Sequence, residues 1–218
     1  MLVVSGDPGI QHPAVGAQLV GGWSQRSLRL GDEPPARSQD AVWLQAGSYF
    51  GDVRVADDGS VEGSMAFTGV SSVDSGRIRF SHDLDLSELS ASIDDESELE
   101  VFDDMLIERG AIDLGDEVLT FEEIWDRISA PGPYSVFDGR NEAGDLEARV
   151  VRVGTVATVH IDSRPAGGSY SASRWSAEHN IWTVDVAIGD VTIAPTTPDQ
   201  ATHAAPTLAW TLVESSDH

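Results

Sequence analysis

Cysteine and lysine are both absent from this sequence of 218 residues. Without cysteine, the chain has no disulfide bond, no thiol nucleophile and no cysteine-ligated metal. Without lysine, Schiff-base and pyridoxal-type chemistry on a side chain is excluded. The lack of cysteine is typical of a cytoplasmic protein, and we expect that location.

Positive charge and long apolar runs are also scarce. The sequence has thirteen arginines and 37 acidic residues, which gives a formal net charge of −24. Such a surface repels phosphate backbones and anionic lipids. No stretch approaches the ~20 apolar residues of a membrane-spanning helix. We therefore expect neither nucleic acid nor membrane as a partner.

The segment 41–86 is the most informative part of the chain. It contains strand-like runs joined by Gly, Asp and Ser turns, and charged residues lie inside these runs. In one of them, Asp52 and Arg54 share a face, while Val53 and Val55 share the other. An antiparallel barrel with an internal cavity creates two such environments. The pattern therefore favours a ligand-holding β-barrel.

The organisation of the chain indicates an all-β fold. Residues 1–20 are rich in Gly and Pro and predict an N-terminal arm, followed by a single β-barrel domain over 21–218. About nine or ten antiparallel strands are expected. The segment Leu119–Ser129 predicts one short helix near a barrel mouth, because Thr120 and Glu123 form a capping-box pattern before an apolar stripe.

A series of short motifs within Trp23–Trp125 carries a resemblance to a known group. They read W-S-x-R-S, P-P, V-W-L-Q, Y-F-x-D-x-R-V, F-x-G, H-D-L-D-L, L-I-E-R-G and E-E-I-W. The pattern resembles uncharacterised bacterial proteins related to lipocalin-like barrels, over about half of the chain. The resemblance implies a lipocalin-like β-barrel with an internal pocket, and it implies no activity or catalytic residues.

Asp52 and Arg54 are the first candidate site residues. Two residues apart in a strand, their side chains point to the same side. If that side is the lumen, Arg54 is a fixed donor for a carboxylate, phenolate or enolate, and Asp52 orients it. The alternatives are a structural pair or an exposed pair on the outer face.

His82 and Glu108 are the candidate proton carriers. His82 lies on the expected apolar face of its strand with Phe80 and Leu84, opposite Asp85. It is a candidate acid, base or ligand contact, or else a satisfied core residue. Glu108 lies in a short apolar run, where burial favours a raised pKa. The alternative for Glu108 is an ion pair with Arg54 or another arginine.

Four further side chains are candidates for the lining of a pocket. Aromatic and amide groups in strands suit a cavity that stacks a flat ligand and fixes it by one or two hydrogen bonds. Plain core packing is the alternative for each of them. They are Trp43, Gln45, Tyr49 and Phe67.

No motif indicates a metal or a cofactor. The six histidines form no H-x-H or H-x-x-x-H pair, and the acidic runs lack EF-hand spacing. No nucleophile elbow, P-loop or dinucleotide fingerprint occurs. We expect no metal site and no cofactor.

Three functions remain open at the level of sequence. The first is binding of a small, largely apolar organic molecule in the barrel lumen. The second is a cofactor-free lyase, isomerase or cyclase, with Arg54 stabilising negative charge and His82 or Glu108 moving a proton. The third is a structural or interaction protein with a filled barrel. If these three side chains meet within hydrogen-bonding reach in one cavity, chemistry is favoured; if they scatter, binding is favoured.

Overall fold

The structure, a computed structural model, describes residues 16, 18–37, 39–87, 95–113, 115, 117–179, 181–190 and 208–216. The arm predicted over residues 1–20 lies mostly outside these ranges. At its end, Leu19 and Val20 are buried, and the backbone oxygen of Leu19 accepts a hydrogen bond from Trp23 Nε1 at 3.0 Å. The arm and the single-domain division stay predictions.

Eight antiparallel strands close into a barrel, each pairing with the next and the last pairing with the first. This confirms the predicted all-β class and the antiparallel barrel. We call the end where β1, β3, β5 and β7 finish the upper mouth. The strands are β1 Gly21–Leu30, β2 Gln39–Ala46, β3 Tyr49–Ala56, β4 Met65–Asp74, β5 Arg77–Asp85, β6 Asp95–Val101, β7 Met105–Asp113 and β8 Val118–Ser129.

A second antiparallel sheet of six strands lies outside the barrel, in the order β13-β12-β11-β10-β9-β14. The described residues thus hold fourteen strands, of which only eight form the barrel, where the sequence predicts nine or ten in one barrel. A 3-10 turn at Arg164–Ala166 joins β11 to β12. The strands are β9 Tyr134–Arg140, β10 Leu146–Val153, β11 Val156–Asp162, β12 Tyr170–Glu178, β13 Ile181–Ile188 and β14 Ala209–Ser215.

Apolar side chains on the outside of β2 and β3 attach the second sheet to the barrel. Val42 and Leu44 pack against Val151 of β10, and Val53 packs against Tyr170 of β12. Each of these side chains is almost fully buried. Alternation along β2 and β3 therefore serves two cores, one inside the barrel and one between the layers.

The lower half of the lumen is a packed hydrophobic core. Trp43 meets Phe80 and Trp125 edge to face, with ring centroids 5.5 and 5.9 Å apart. Close packing of such large side chains leaves this half to protein atoms. The buried members of the core are Leu19, Trp23, Ala41, Trp43, Phe50, Ile78, Leu106 and Trp125.

The helix predicted over Leu119–Ser129 is wrong, because this segment is strand β8. It pairs with β7 on one side, where Ile107 lies opposite Ile124, and with β1 on the other. Closing the barrel satisfies the backbone on both edges of the segment, which an isolated helical pattern does not reveal. The supposed cap residue Glu123 is instead a side chain of the lumen, 4% exposed.

Candidate functional site

Charged side chains replace the apolar core in the upper half of the lumen. Six strands contribute them, because each places one or two residues of inward parity at this height. Most of them are buried and hydrogen-bonded to one another. We call the group the ionic cluster: Gln25, Asp52, Arg54, His82, Asp85, Asp95, Ser97, Glu108 and Glu123.

Arg54 lies at the centre of the ionic cluster. Its Nε and Nη2 donate to the carboxylate of Asp52 at 3.1 and 2.9 Å, and its Nη1 donates to Glu123 Oε1 at 2.8 Å. The guanidinium carbon lies 5.6 Å from the ring centroid of Phe67 and 5.2 Å from that of Trp125. Burial alone would lower the pKa of Arg54, but the two carboxylates outweigh it and raise the pKa further. Arg54 is therefore a permanent cation whose three nitrogens already donate to carboxylates.

Two carboxyl groups of the cluster have raised pKa values. Burial raises the pKa of Glu108 to about 8, and the negative charge of Glu123, directly opposite it on β8, adds to this. Ser97 Oγ donates a hydrogen bond to Glu108 Oε1 at 2.7 Å, and this bond lowers the pKa of Glu108. Burial likewise raises the pKa of Asp52 to about 6, against the lowering influence of Arg54. At neutral pH, Glu108 is therefore mainly a protonated acid.

His82 bridges two carboxylates at the upper mouth. Its Nδ1 lies 2.6 Å from Asp85 Oδ2, and its Nε2 lies 3.0 Å from Asp95 Oδ2. The imidazole stacks on Phe67, with ring centroids 4.4 Å apart and planes 7° from parallel. Burial alone would lower the pKa of His82, but the two carboxylates outweigh it and raise the pKa to about 9. At neutral pH, His82 is therefore an imidazolium that donates from both nitrogens.

The predicted strand faces of the residues that follow Asp83 are wrong. Residues Thr68 and Gly69 of β4 lie opposite Leu84 and His82, so Asp83 is an extra residue in β5. A β-bulge of this kind reverses the parity of the residues after it. Leu84 consequently packs outside the barrel, in the cluster that contains Val53 and Tyr170. Asp85, expected opposite His82, joins it instead.

Two buried polar atoms of the cluster region have no hydrogen-bond partner among the described residues. They are Gln25 Oε1 and Trp125 Nε1, on side chains that are 1% and 0% exposed. Gln25 and Trp125 lie opposite each other on β1 and β8, with inward parity. The amide nitrogen of Gln25 donates to Glu123 Oε1 at 3.0 Å, so the whole amide group lies within the ionic cluster. Buried polar atoms without partners are uncommon and require an explanation.

The four predicted pocket residues divide between three environments. Phe67 lies against Arg54 and His82 in the upper lumen. Trp43 and Gln45 belong to the lower core, where Trp43 Nε1 donates to Gln45 Oε1 at 3.1 Å and Gln45 Nε2 donates to Ser71 Oγ at 2.8 Å. Tyr49 points outward, and the guanidinium carbon of Arg149 lies 4.7 Å from its ring centroid. Of the four, Phe67 has the ring contacts to cluster members, and Trp43, on β2, lies opposite Asp52.

Arg54, His82 and Glu108, the three predicted catalytic residues, all lie in the ionic cluster. They are connected through other residues of the cluster. Glu123 accepts a hydrogen bond from Arg54 and lies opposite Glu108, and Asp95 accepts one from His82. Asp52 also faces inward, as the alternation of its strand predicts, and is 3% exposed. The arrangement can hold a positive charge, and it can deliver a proton from Glu108.

Apolar side chains from β1, β4, β7 and β8 lie at the upper mouth, above the ionic cluster. Met65 lies opposite Arg54, and Leu30 lies opposite Phe121, so each has inward parity. Leu30 and Met65 are 37% and 38% exposed. We call the partly exposed set of this parity the apolar rim: Leu28, Leu30, Met65, Ile112, Leu119 and Phe121.

A second group of buried polar residues lies between the barrel and the second sheet. His160 Nδ1 lies 3.0 Å from the hydroxyl of Tyr170, and burial lowers the pKa of His160 to about 3. Arg149 binds Asp138 and Asp83 in the same layer. The pair between Arg149 and Asp83 of β5 attaches the second sheet to the barrel, whereas the other contacts lie within the second sheet.

Two surface depressions, of about 400 and 490 Å³, lie outside the lumen. The first is at the lower end of the barrel, between Phe102, Arg127 and Pro131. The second follows the outside of β5 to β7. In the part of the chain that the structure covers, no three His, Asp or Glu side chains are arranged to hold a metal ion.

A comparison with protein families identifies the relatives of this fold. The family model described as Protein HRI1 matches residues 23–214, which include the whole barrel wall from Trp23 onward and most of the second sheet. The chain belongs to the HRI1 family.

One solved structure similar to this HRI1-family chain is that of the uncharacterised protein YLR301w from Saccharomyces cerevisiae. The TM-score is 0.67 at 13% sequence identity, and the match covers 94% of this chain and 99% of that one. At this identity the similarity establishes the fold alone. A search of curated proteins found no significant match. In the described ranges, no helix is long and apolar enough to cross a membrane.

The sequence pattern missed five members of the ionic cluster. The capping-box pattern predicts a helix cap at Glu123, although Glu123 and Trp125 also fit a period of two. Asp85 was hidden by the bulge at Asp83. The remaining ones, Gln25, Asp95 and Ser97, lie on strands whose inward face only the barrel register defines.

Proposed function

We propose that this HRI1-family protein binds a small, largely apolar organic molecule at the upper mouth of the barrel, in the manner of lipocalin-like barrels, which receive a ligand through one open end. The observation that carries the proposal is the arrangement of apolar and charged side chains at this mouth. An apolar rim that is partly exposed lies directly above a buried ionic cluster. Small-molecule sites combine apolar walls with a few placed polar groups.

The lower lumen restricts where the ligand fits. Trp23, Trp43 and Trp125 are at most 2% exposed and fill the space below the ionic cluster. The ligand therefore occupies the region between the rim and the cluster. The same proposal places the protein in the cytoplasm, with neither nucleic acid nor membrane as a partner, because its net charge of −24 repels both.

The test is a fragment screen that is monitored by NMR. The readout is the chemical shift of the indole N–H signals of the six tryptophans in an ¹⁵N spectrum. Ligands at the upper mouth are expected to shift the Trp125 signal and leave that of Trp182, on the second sheet, unchanged. Met65→Trp fills the mouth and is expected to weaken binding at least tenfold. Val184→Trp places the same bulk on an exposed position of β13 and is expected to have no effect. Fragments that shift only Trp182, or none of the signals, would refute the proposal and leave a packed scaffold.

A second candidate function is a cofactor-free lyase or isomerase at the same mouth. The observation that favours it is Glu108, a buried acid with a pKa of about 8 that shares a cluster with the cation Arg54. Such an acid can protonate a substrate whose negative charge a nearby cation stabilises. Turnover of a bound fragment by the native protein, lost in Glu108→Gln with binding retained, is the expected result. Equal turnover in both proteins would exclude this chemistry.

A further inference from the structure

We propose that the ligand of the upper mouth is an organic cation, a primary amine on an apolar body, whose ammonium group is held by the ionic cluster while the body lies against the apolar rim. This inference rests on the proposed binding function and specifies the class of ligand.

The charge balance of the ionic cluster is the first argument. Only Arg54 and His82 contribute positive charge, and both already bond to carboxylates of the cluster. Buried carboxylates without matching cations are costly, and a bound cation removes that cost. With Glu108 protonated, four carboxylates of the cluster still outnumber the two cations: Asp52, Asp85, Asp95 and Glu123.

The unpartnered acceptor Gln25 Oε1 is an independent argument. It is buried on a side chain that is 1% exposed, and its amide group adjoins Glu123. An acceptor without a partner requires a donor. An ammonium group carries three donors and no acceptor, so it satisfies Gln25 and the carboxylates together.

An anionic ligand does not fit this arrangement. Arg54 Nε, Nη1 and Nη2 already donate to Asp52 and Glu123, so an anion would compete with two buried carboxylates for the same cation. A bare metal ion does not fit either, because it makes no use of the apolar rim formed by side chains such as Leu30 and Met65. The net charge of −24 also draws cations towards the molecule.

The protonation state of Glu108 distinguishes the binding of a cation from the binding of a neutral ligand. Its pKa is raised by burial and by Glu123, and the other groups that influence it are Asp95 and Ser97 on the neighbouring strand β6 and Arg54 across the lumen on β3. A cation placed beside Glu108 stabilises its ionised form, so binding of the amine releases a proton at neutral pH. A neutral ligand of the same shape releases none.

The test compares hexylamine, 1-hexanol and hexanoate, which share an apolar body and differ in head group. Isothermal titration calorimetry of the full chain at neutral pH, in phosphate and in HEPES, neither of which is a primary amine, gives both the affinity and the number of protons released. We expect hexylamine to bind at least tenfold more tightly than hexanol and to release protons, and hexanoate not to bind. Glu108→Gln is expected to abolish the proton release, and Gln25→Leu to weaken hexylamine at least fivefold, with hexanol binding retained in both as evidence of folding.

The outcomes separate this inference from the binding function. Equal affinity for hexylamine and hexanol, or tighter binding of hexanoate, would overturn the cation and leave small-molecule binding in place. Failure of all three to bind would overturn the proposed function itself. Glu98→Gln, on the exposed face of β6, is the matched control for general attraction to an acidic surface. A loss of hexylamine binding in Glu98→Gln as large as that in Gln25→Leu would also refute the inference.

Discussion

Arg54 is the residue on which the charges of the upper lumen depend. Replacing it with Met keeps most of its volume but leaves Asp52 and Glu123 buried without their cation. Breaking a buried ion pair in this way costs about 3–5 kcal/mol of the free energy of unfolding. Urea denaturation followed by tryptophan fluorescence measures the change. The matched control is Arg26→Met, whose pair with Asp126 is exposed, and a loss in Arg54→Met no greater than in this control would contradict the expectation.

The raised pKa values of Glu108 and His82 make the free energy of unfolding depend on pH. The folded pKa of Glu108, about 8, exceeds the ordinary value of 4.5, and that of His82, about 9, exceeds 6.5. For a raised pKa, the contribution to stability is complete below the unfolded pKa and is lost as the pH rises through the folded one. We therefore expect the free energy of unfolding to fall between pH 6.5 and 9. Below pH 6.5 the contribution of His160, whose folded pKa is lowered to about 3, rises with pH and opposes that of Glu108.

The variant Glu108→Gln isolates one part of this dependence. Gln resembles the protonated acid in shape and does not ionise, so the variant should lose stability less steeply between pH 4.5 and 8. Urea midpoints measured at several pH values for both proteins provide the comparison. Parallel curves for the two proteins over this range would show that Glu108 ionises in the folded state as it does in the unfolded one.

At the scale of elements, β3 must lie flat against the second sheet. A Cβ added at Gly51 would lie 2.2 Å from Thr158 Oγ1 and 3.2 Å from His160 Nε2, both on β11. We expect Gly51→Ala to cost about 1–3 kcal/mol of unfolding free energy, because Thr158 or the layers themselves must shift to admit the methyl group. Gly132→Ala, where the nearest atom would be 3.7 Å away, is the control and should cost little.

The same contact offers a test by compensation. Thr158→Ala removes the nearest atom, so the double variant Gly51→Ala/Thr158→Ala should be more stable than the sum of the single changes predicts. Thermal unfolding of the four proteins measures this coupling. Strict additivity would show that Gly51 is not required by the packing of β3 on β11.

At the scale of the whole molecule, net charge opposes the compact state. With 37 acidic and 13 basic residues, repulsion between carboxylates exceeds the attraction within surface pairs. Salt screens interactions between exposed charges, so the unfolding temperature should rise with sodium chloride up to about 0.5 M, where the Debye length falls below ~5 Å. Differential scanning calorimetry at neutral pH tests this, and a temperature that falls with salt would mean that surface pairs dominate.

The sequence by itself determined what depends on neighbouring residues. Alternation in YFGDVRVA predicts that Asp52 and Arg54 share one face and Val53 the other, and the barrel places them inside and outside accordingly. The all-β class and the antiparallel barrel follow from the same local period of two. Composition likewise determines the acidic surface and the absence of thiol and amine chemistry.

The tertiary structure alone decided the rest, because the deciding contacts join residues far apart in the chain. Pairing with both β1 and β7 makes 118–129 a strand in spite of its helical spacing. The bulge at Asp83 brings Asp85 to His82, and barrel closure brings Glu123 to Arg54, 69 residues away. Backbone pairing and barrel register are non-local, so no local pattern specifies which carboxylates meet in the lumen.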